Sequence, residues 1–330
     1  MSFIRFAAAA LLASASLAQA ETLRFSSFEP PQAYVTKNVL TAWAEDVSKA
    51  SEGTLDVKMF AGGTLGRAPD QQLKLVEDGV ADIAWVIPGY SPGRFTEGSV
   101  AELPFLVPDS TIGSKAMWKM VEDGYFSNDY SKFKLIGVVV SAPNFIASSR
   151  KITEPEEMKG INFRGPGPVL LTALKALGSV PIGGITGANL ADSISRGLVE
   201  GTLTEWTAGE TFRVTEVTNH YMMAPLGATP MLVLMNKARY DALPEKAKAA
   251  IDQHSGAAFS ERFGKTFDAN MVAARKRAEE RKAVITDITG EAAARWEAAV
   301  RPATDAWIAD TPDGQKIYDA MKAALAAAAQ

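Results

Sequence analysis

Apolar positions along the chain switch repeatedly between a period of two and a helical period, and the switches mark the elements. Thr22–Phe28 (TLRFSSF) reads as a strand that ends in a Ser-rich turn and Pro30-Pro31. Thr36–Ala50 places Val39, Leu40, Trp43 and Val47 on one helical face. Leu55–Phe60 (LDVKMF) alternates, as a half-buried strand does. A loop with Gly62, Gly63 and Gly66 leads to a helix over Asp70–Asp78, stopped by Gly79. Ala81–Ile87 is then an apolar strand, halted by Pro88-Gly89. Strand, helix, strand, helix, strand predicts an α/β fold with a largely parallel sheet.

The pattern restarts downstream. Phe133–Ser141 (FKLIGVVVS) is the continuous apolar run of a strand buried on both faces, and Phe145–Ser149 is a short strand. Asn162-Phe163-Arg164 is a strand running into Gly165-Pro166-Gly167-Pro168; a helix follows over Val169–Leu177 and a strand over Val180–Ile182. A helix over Asn189–Arg196 and a strand over Gly201–Glu205 complete a second α/β unit. Beyond Pro244 the composition changes. Glu245–Ala283 has no proline and is rich in Ala, Lys, Glu and Arg, so it predicts one very long helix, or two end to end, bracing both units. A last strand (Val284–Ile288) and helices over Glu291–Trp307 and Gly314–Ala328 close the chain. The predicted architecture is two α/β domains with a cleft between them and a long domain-spanning helix. The first domain is expected to take 21–143 plus about 230–275, and the second 144–229 plus about 276–330.

Residues 1–20 (MSFIRFAAAALLASASLAQA) have one basic residue, a short apolar core and an A-x-A end, the pattern of a cleaved secretory signal peptide. This predicts export, with Glu21 as the mature N-terminus. The 330 residues are 47% hydrophobic and 22% charged, ordinary for a globular chain that buries its own core. There is no cysteine, so no disulfide, thiolate metal site or cysteine nucleophile is possible. A net charge of −4 disfavours nucleic acid as a partner. Only His220 and His254 could serve histidine chemistry; neither has a cluster around it, and His220 reads as a structural or surface residue. Phosphate-loop, nucleophile-elbow and zincin motifs are all missing. No catalytic residue, metal or cofactor is therefore expected.

Arg164 stands out. It ends an apolar strand just before a Gly-Pro turn and a helix. A guanidinium there can clamp a carboxylate with two parallel hydrogen bonds, and the helix N-terminus would add partial positive charge for the same anion. Its structural alternative is an ion pair closing the strand. Trp85-Val-Ile-Pro-Gly-Tyr90-Ser-Pro-Gly-Arg94-Phe95 concentrates aromatics after a buried strand, and Thr202-Leu-Thr204-Glu-Trp206 follows another. Trp85 and Trp206 both come at strand C-termini, where α/β sheets bind ligands.

Short motifs in order then give a resemblance. Gly62-Gly-Thr-Leu-Gly66 with its helix to Asp78-Gly79-Val-Ala-Asp82, Glu102-Leu-Pro-Phe105, Met158-Lys-Gly-Ile-Asn-Phe-Arg164, Gly197-Leu-Val-Glu-Gly201 and Thr218-Asn-His220 occur at specific spacings. The mature chain resembles, over nearly its whole length, the DctP-type substrate-binding proteins of tripartite ATP-independent periplasmic (TRAP) transporters. The resemblance implies a periplasmic protein, here expected to be a monomer, that takes up a small organic acid and hands it to TRAP membrane permease subunits. It also implies that the arginine pairing with the ligand carboxylate is Arg164. Two departures bear on the ligand. A polar pair of some relatives is here Leu203 and Thr204, followed by Trp206, and the place of a second arginine falls near Asn144.

One carboxylate clamp beside aromatic surface favours an aromatic monocarboxylate, such as benzoate or a hydroxybenzoate. The expected wall is Arg164, Trp85, Tyr90, Phe95, Asn144 and Trp206, with hydroxyls from Ser27, Thr204 and Thr229. The alternatives are a C4-dicarboxylate, an α-keto acid or a pyroglutamate-like acid. From another class, the alternative is an exported α/β enzyme acting on small acids.

Overall fold

A computed structural model describes residues 20–330; the expected signal peptide, apart from Ala20, lies outside the described residues. The chain forms two sheets, each covered on both faces by helices. The first sheet contains β1 (Glu21–Ser26), β2 (Leu55–Phe60), β3 (Ile83–Val86), β4 (Phe133–Pro143) and β10 (Ala228–Asn236), in the order β2-β1-β3-β10-β4. The second contains β5 (Phe145–Ser148), β6 (Asn162–Arg164), β7 (Val180–Ile182), β8 (Gly201–Thr204), β9 (His220–Met223) and β11 (Val284–Asp287), in the order β11-β9-β5-β8-β6-β7. The expected α/β class holds, but the sheets are mixed rather than largely parallel. β10 runs antiparallel to β3 and β4, and β5 antiparallel to β8 and β9.

The antiparallel strands are those that cross between the halves. β4 passes into β5 through Asn144, and β9 returns to β10 through residues 224–227. The two crossings are tied together: Asn144 N–H donates to Gly227 O (2.8 Å) and Leu226 N–H to Asn144 O (2.8 Å). Gly227 is required here. Its φ is +87°, and a Cβ would stand 2.1 Å from Glu102 O.

The strands' period of two sorts the cores. On β5, Phe145 and Ala147 face one hydrophobic cluster and Ile146 the other. On β10, Met231, Val233 and Met235 face one side of the first sheet and Leu232 and Leu234 the other. One side is covered by α1 (Ala42–Ala50), which follows a π-helical turn at Thr36–Thr41, by α8 (Glu245–Gln253) and by the start of α9 (Ala257–Glu280). The other carries α2 (Gln72–Glu77), α3 (Ser110–Glu122) and α11 (Gly314–Ala328). The second sheet is flanked by α4 (Pro168–Ala176) and α10 (Gly290–Asp310) on one face. On the other lie α5 (Gly187–Ser195) and the end of α9, with α6 (Trp206–Thr211) packed on α9. A short α7 (Lys237–Asp241) follows β10.

The long polar stretch divides at His254-Ser255-Gly256 into α8 and α9. Gly256, with φ +69°, turns the chain and its N–H bonds Ile136 O (2.8 Å). α9 is the expected brace: Phe259, Phe263 and Phe267 lie in the first half's core, Ala274 and Ala278 in the second's. α10 is a second brace. Trp296, Val300 and Ala303 pack in the second half, while Trp307 reaches the first, its Nε1 donating to Ser99 Oγ (2.7 Å). The end of the chain therefore departs from the expected boundary. Ile317, Met321 and Leu325 of α11 pack with the first half against α3, not with the second.

Candidate functional site

A cavity lies between the halves. The first half contributes the turn after β1, the loop after β3, the crossing strands and one turn of α9. The second contributes the end of β6, the start of α5 and the loop from β8 into α6.

Arg164 comes into this cavity because β6 ends there, and it is only 4% exposed. Its Nε donates to Ile185 O (3.0 Å) and its Nη2 to Tyr90 Oη (3.3 Å). Among the described residues no carboxylate lies within 4.0 Å of it. The structural alternative, an ion pair closing the strand, is therefore not what is observed. A buried guanidinium held only by neutral acceptors is costly until an anion arrives to pair with it.

Tyr90 belongs to the first half, yet its hydroxyl bonds to the second. Besides Arg164, its hydroxyl accepts from Gly187 N–H (3.1 Å), at the start of α5. A hydroxyl that accepts twice keeps its own proton to donate, so Tyr90 and Arg164 together present donors to one anion. The N-terminus of α4, expected to help hold that anion, is already occupied. Glu102 of the first half takes Val169 N–H at 3.2 Å. Burial pushes the Glu102 carboxyl up to about 7, against the pull of the Val169 and Leu170 N–H groups.

Asn144 lies on the wall where the crossing strands meet, and its Nδ2 donates to Gly227 O (2.8 Å) and Thr229 Oγ1 (3.1 Å). Thr204 and Thr229 also line the cavity. Arg164, Tyr90, Asn144, Thr204 and Thr229 are thus brought together. Four other expected wall residues are not. Trp85 is fully buried against Phe263, and its Nε1 donates to Glu29 Oε1 at 3.1 Å. Phe95 packs edge-on against Tyr130, in a core on the far side of the first sheet. Trp206 sits between Phe145 and Tyr221, in the second half's core. Ser27 is buried, with its hydroxyl 3.0 Å from Thr36 Oγ1. In each case the aromatic or polar residue lies on or after the right strand, but its side chain turns into a core.

The apolar surface comes from other residues. Phe28 of the first half and Phe212 of the second stack across the cleft, with centroids 6.3 Å apart and planes 6° from parallel. Phe267, Val35, Ile87, Leu190, Leu203 and Met231 extend it. Two carboxyls complete the wall, and neither was expected. Glu29 follows Phe28 and accepts from Trp85 and from Thr36 Oγ1 (3.3 Å). Glu205 is the N-cap of α6 and accepts from Thr207 N–H and from Ala208 N–H (2.7 Å). Burial raises Glu29 to about 7 and Glu205 to about 8; the charge of Glu29 adds to the rise at Glu205. Only their place beside Ser27 and Thr204 in the sequence pointed to them.

Among the described residues no cluster of three or more His, Cys, Asp or Glu could hold a metal ion, and no helix is long and apolar enough to cross a membrane.

Comparison with known proteins places this geometry. The model of the bacterial extracellular solute-binding proteins, family 7, matches residues 25–310. The chain is similar to a marine metagenome TRAP solute-binding protein specific for aromatic acid ligands, solved with 3-hydroxybenzoate. The two are 30% identical, with a TM-score of 0.90 over 94% of this chain and 100% of that one. It is similar to a TRAP solute-binding protein from Rhodoferax ferrireducens, solved with copurified benzoate. Identity there is 28% and the TM-score 0.89, covering 94% of this chain and 98% of that one. It is also 28% identical, over 98% of both chains, to the outer membrane transporter protein TsaT of Comamonas testosteroni.

Proposed function

Because the chain belongs to family 7 of the bacterial extracellular solute-binding proteins, we propose that it captures an aromatic monocarboxylate, a benzoate or hydroxybenzoate, between its halves. It acts in the periplasm, as a monomer without a cofactor, and delivers the acid to TRAP membrane permease subunits. One observation carries the ligand class: Arg164 is a buried cation with no carboxylate partner among the described residues, at the wall of a cavity lined by Phe28, Phe212 and Phe267. A benzoate carboxylate placed at Arg164 and Tyr90 would accept from the guanidinium's remaining N–H donors, with its ring among those phenylalanines. Ring contacts of this kind add about 0.5–1.5 kcal/mol beyond area burial.

The same wall disfavours a C4-dicarboxylate. Its second carboxylate would lie in a cavity that already holds Glu29 and Glu205 and offers no second arginine. Burying an unpaired carboxylate is costly. The two solved relatives described above, one with 3-hydroxybenzoate and one with benzoate, support the reading.

A thermal-shift panel tests it. Saturation at about 100 times the dissociation constant adds roughly 2.7 kcal/mol. Benzoate and the hydroxybenzoates should raise Tm, and the rise should persist for hours because nothing is consumed. Succinate, malate and pyroglutamate should give little. If malate or pyroglutamate shifts Tm and displaces every aromatic acid, the ligand class is wrong; a shift that decays as the acid disappears would mean an enzyme.

A further inference from the structure

Glu29 and Glu205 have no part in holding a ligand carboxylate, yet both line the ligand cavity from opposite halves of the molecule. Each is buried, at 7% and 4% exposure. Neither is paired with a cation among the described residues, and Arg164, on the same cavity, stays more than 4.0 Å from both. Two buried carboxyls are costly to retain beside a ring site, and a purely apolar wall would serve unsubstituted benzoate better.

Both groups are held in fixed positions. Trp85 Nε1 and Thr36 Oγ1 fix Glu29, each donating to a different oxygen. The N–H groups of Thr207 and Ala208, the second and third residues of α6, fix Glu205, again one to each oxygen. A carboxylate has about four acceptor sites, so each side chain keeps sites free after these bonds.

On the reading that the ligand is an aromatic monocarboxylate, we propose that Glu29 and Glu205 recognise a hydroxyl on its ring, and that the preferred ligand is a hydroxybenzoate rather than benzoate. A ring hydroxyl brings one donor and two acceptor sites. Carboxyls contributed to one cavity by the two halves offer the complement: an ionised one accepts a hydrogen bond from the hydroxyl, and a protonated one donates to the hydroxyl oxygen. The raised positions of both groups, about 7 and about 8, fit a pair that holds a proton near neutral pH. Because the pair spans the cleft, a ligand hydroxyl bonded to both would also tie the halves together.

The test is calorimetric titration of the full mature chain at pH 7 with benzoate, the 2-, 3- and 4-hydroxybenzoates, isophthalate and 3-(aminomethyl)benzoate. It is repeated with Glu29→Gln and Glu205→Gln. At least one hydroxybenzoate should bind roughly tenfold or more tighter than benzoate, as expected for a hydrogen bond to a buried charged group. Isophthalate should bind at least tenfold more weakly than benzoate. In one or both variants the ratio of hydroxybenzoate to benzoate affinity should fall to within about threefold while benzoate still binds saturably, which a misfolded variant could not do. Benzoate binding as tightly as every hydroxybenzoate would overturn the proposal while leaving the monocarboxylate reading intact, as would a preference that survives both substitutions. Tightest binding by 3-(aminomethyl)benzoate would overturn it in favour of an ammonium site. Failure of every aromatic acid to bind would overturn it together with the reading it rests on.

Discussion

At the scale of single residues, the site depends on which side chains leave the core. Tyr90 shows how finely. It lies in the turn after β3, in the same aromatic segment as Trp85 and Phe95, yet it alone of the three reaches the second half. Its hydroxyl joins Arg164 to the start of α5, so Tyr90→Phe should lower affinity for the aromatic acid by about 1.5–3 kcal/mol, the worth of a hydrogen bond to a charged group. Calorimetry checks this, and an unchanged dissociation constant would remove Tyr90 from the clamp. Arg164 was legible because a charged residue ending an apolar strand before Gly-Pro-Gly-Pro has few structural uses. Trp85 was misread because both faces of β3 are apolar, so the period of two disappears and the sequence cannot say which side a ring takes. Phe95 and Trp206 lie past their strands, where no strand period fixes the ring's direction. Phe28, Phe212 and Phe267 come from three distant segments and meet only through the tertiary fold.

At the scale of elements, the strand and helix boundaries of both α/β units were largely readable, because glycines and prolines punctuate them. The antiparallel crossings were not, since β10 carries the same continuous apolar run whichever way it pairs. α9 illustrates what holds the elements together. Asp268, on α9, accepts from the backbone N–H of Ser110 (3.0 Å) and Thr111 (2.8 Å), the first turn of α3. One turn earlier, Gly264 lets the two helices approach so closely that a Cβ would stand 2.4 Å from Thr111 Cα. Its neighbour there is backbone, which cannot rotate away. Gly264→Val should therefore cost about 2–4 kcal/mol, the range of severe overpacking with loss of a cap. Urea unfolding measures it, and a loss under about 0.5 kcal/mol would show that α3 and α9 can separate without penalty.

At the scale of the whole molecule, the halves meet through buried acids. Glu29 and Glu102 of the first half and Glu205 of the second are raised by burial to about 7, 7 and 8. The unfolded chain releases these protons near 4.5, the folded one only near 7 or 8. Between those limits the folded state holds more protons, so stability is greatest at the low end of that window and falls as pH rises through it. Unliganded protein should melt lower at pH 8.5 than at pH 5.5. Glu102→Gln, which keeps an acceptor for Val169 N–H, should flatten the slope by about 1–3 kcal/mol. Scanning calorimetry at the two pH values decides it: a Tm that rises with pH in this window would mean that these carboxyls are ionised in the folded protein.

All of this converges on Arg164, a buried cation between the halves with no carboxylate partner among the described residues. The most direct measurement is calorimetric titration of the preferred aromatic acid into wild-type protein, Arg164→Ala and Arg164→Lys. Loss of the guanidinium should cost about 2–5 kcal/mol, because the bound carboxylate would be left buried without its partner. Lysine should restore little, since it lacks the planar fork that engages Tyr90, Ile185 and a carboxylate together. Near-wild-type affinity in Arg164→Ala would contradict the account at its centre: the acid would then be held somewhere other than at Arg164.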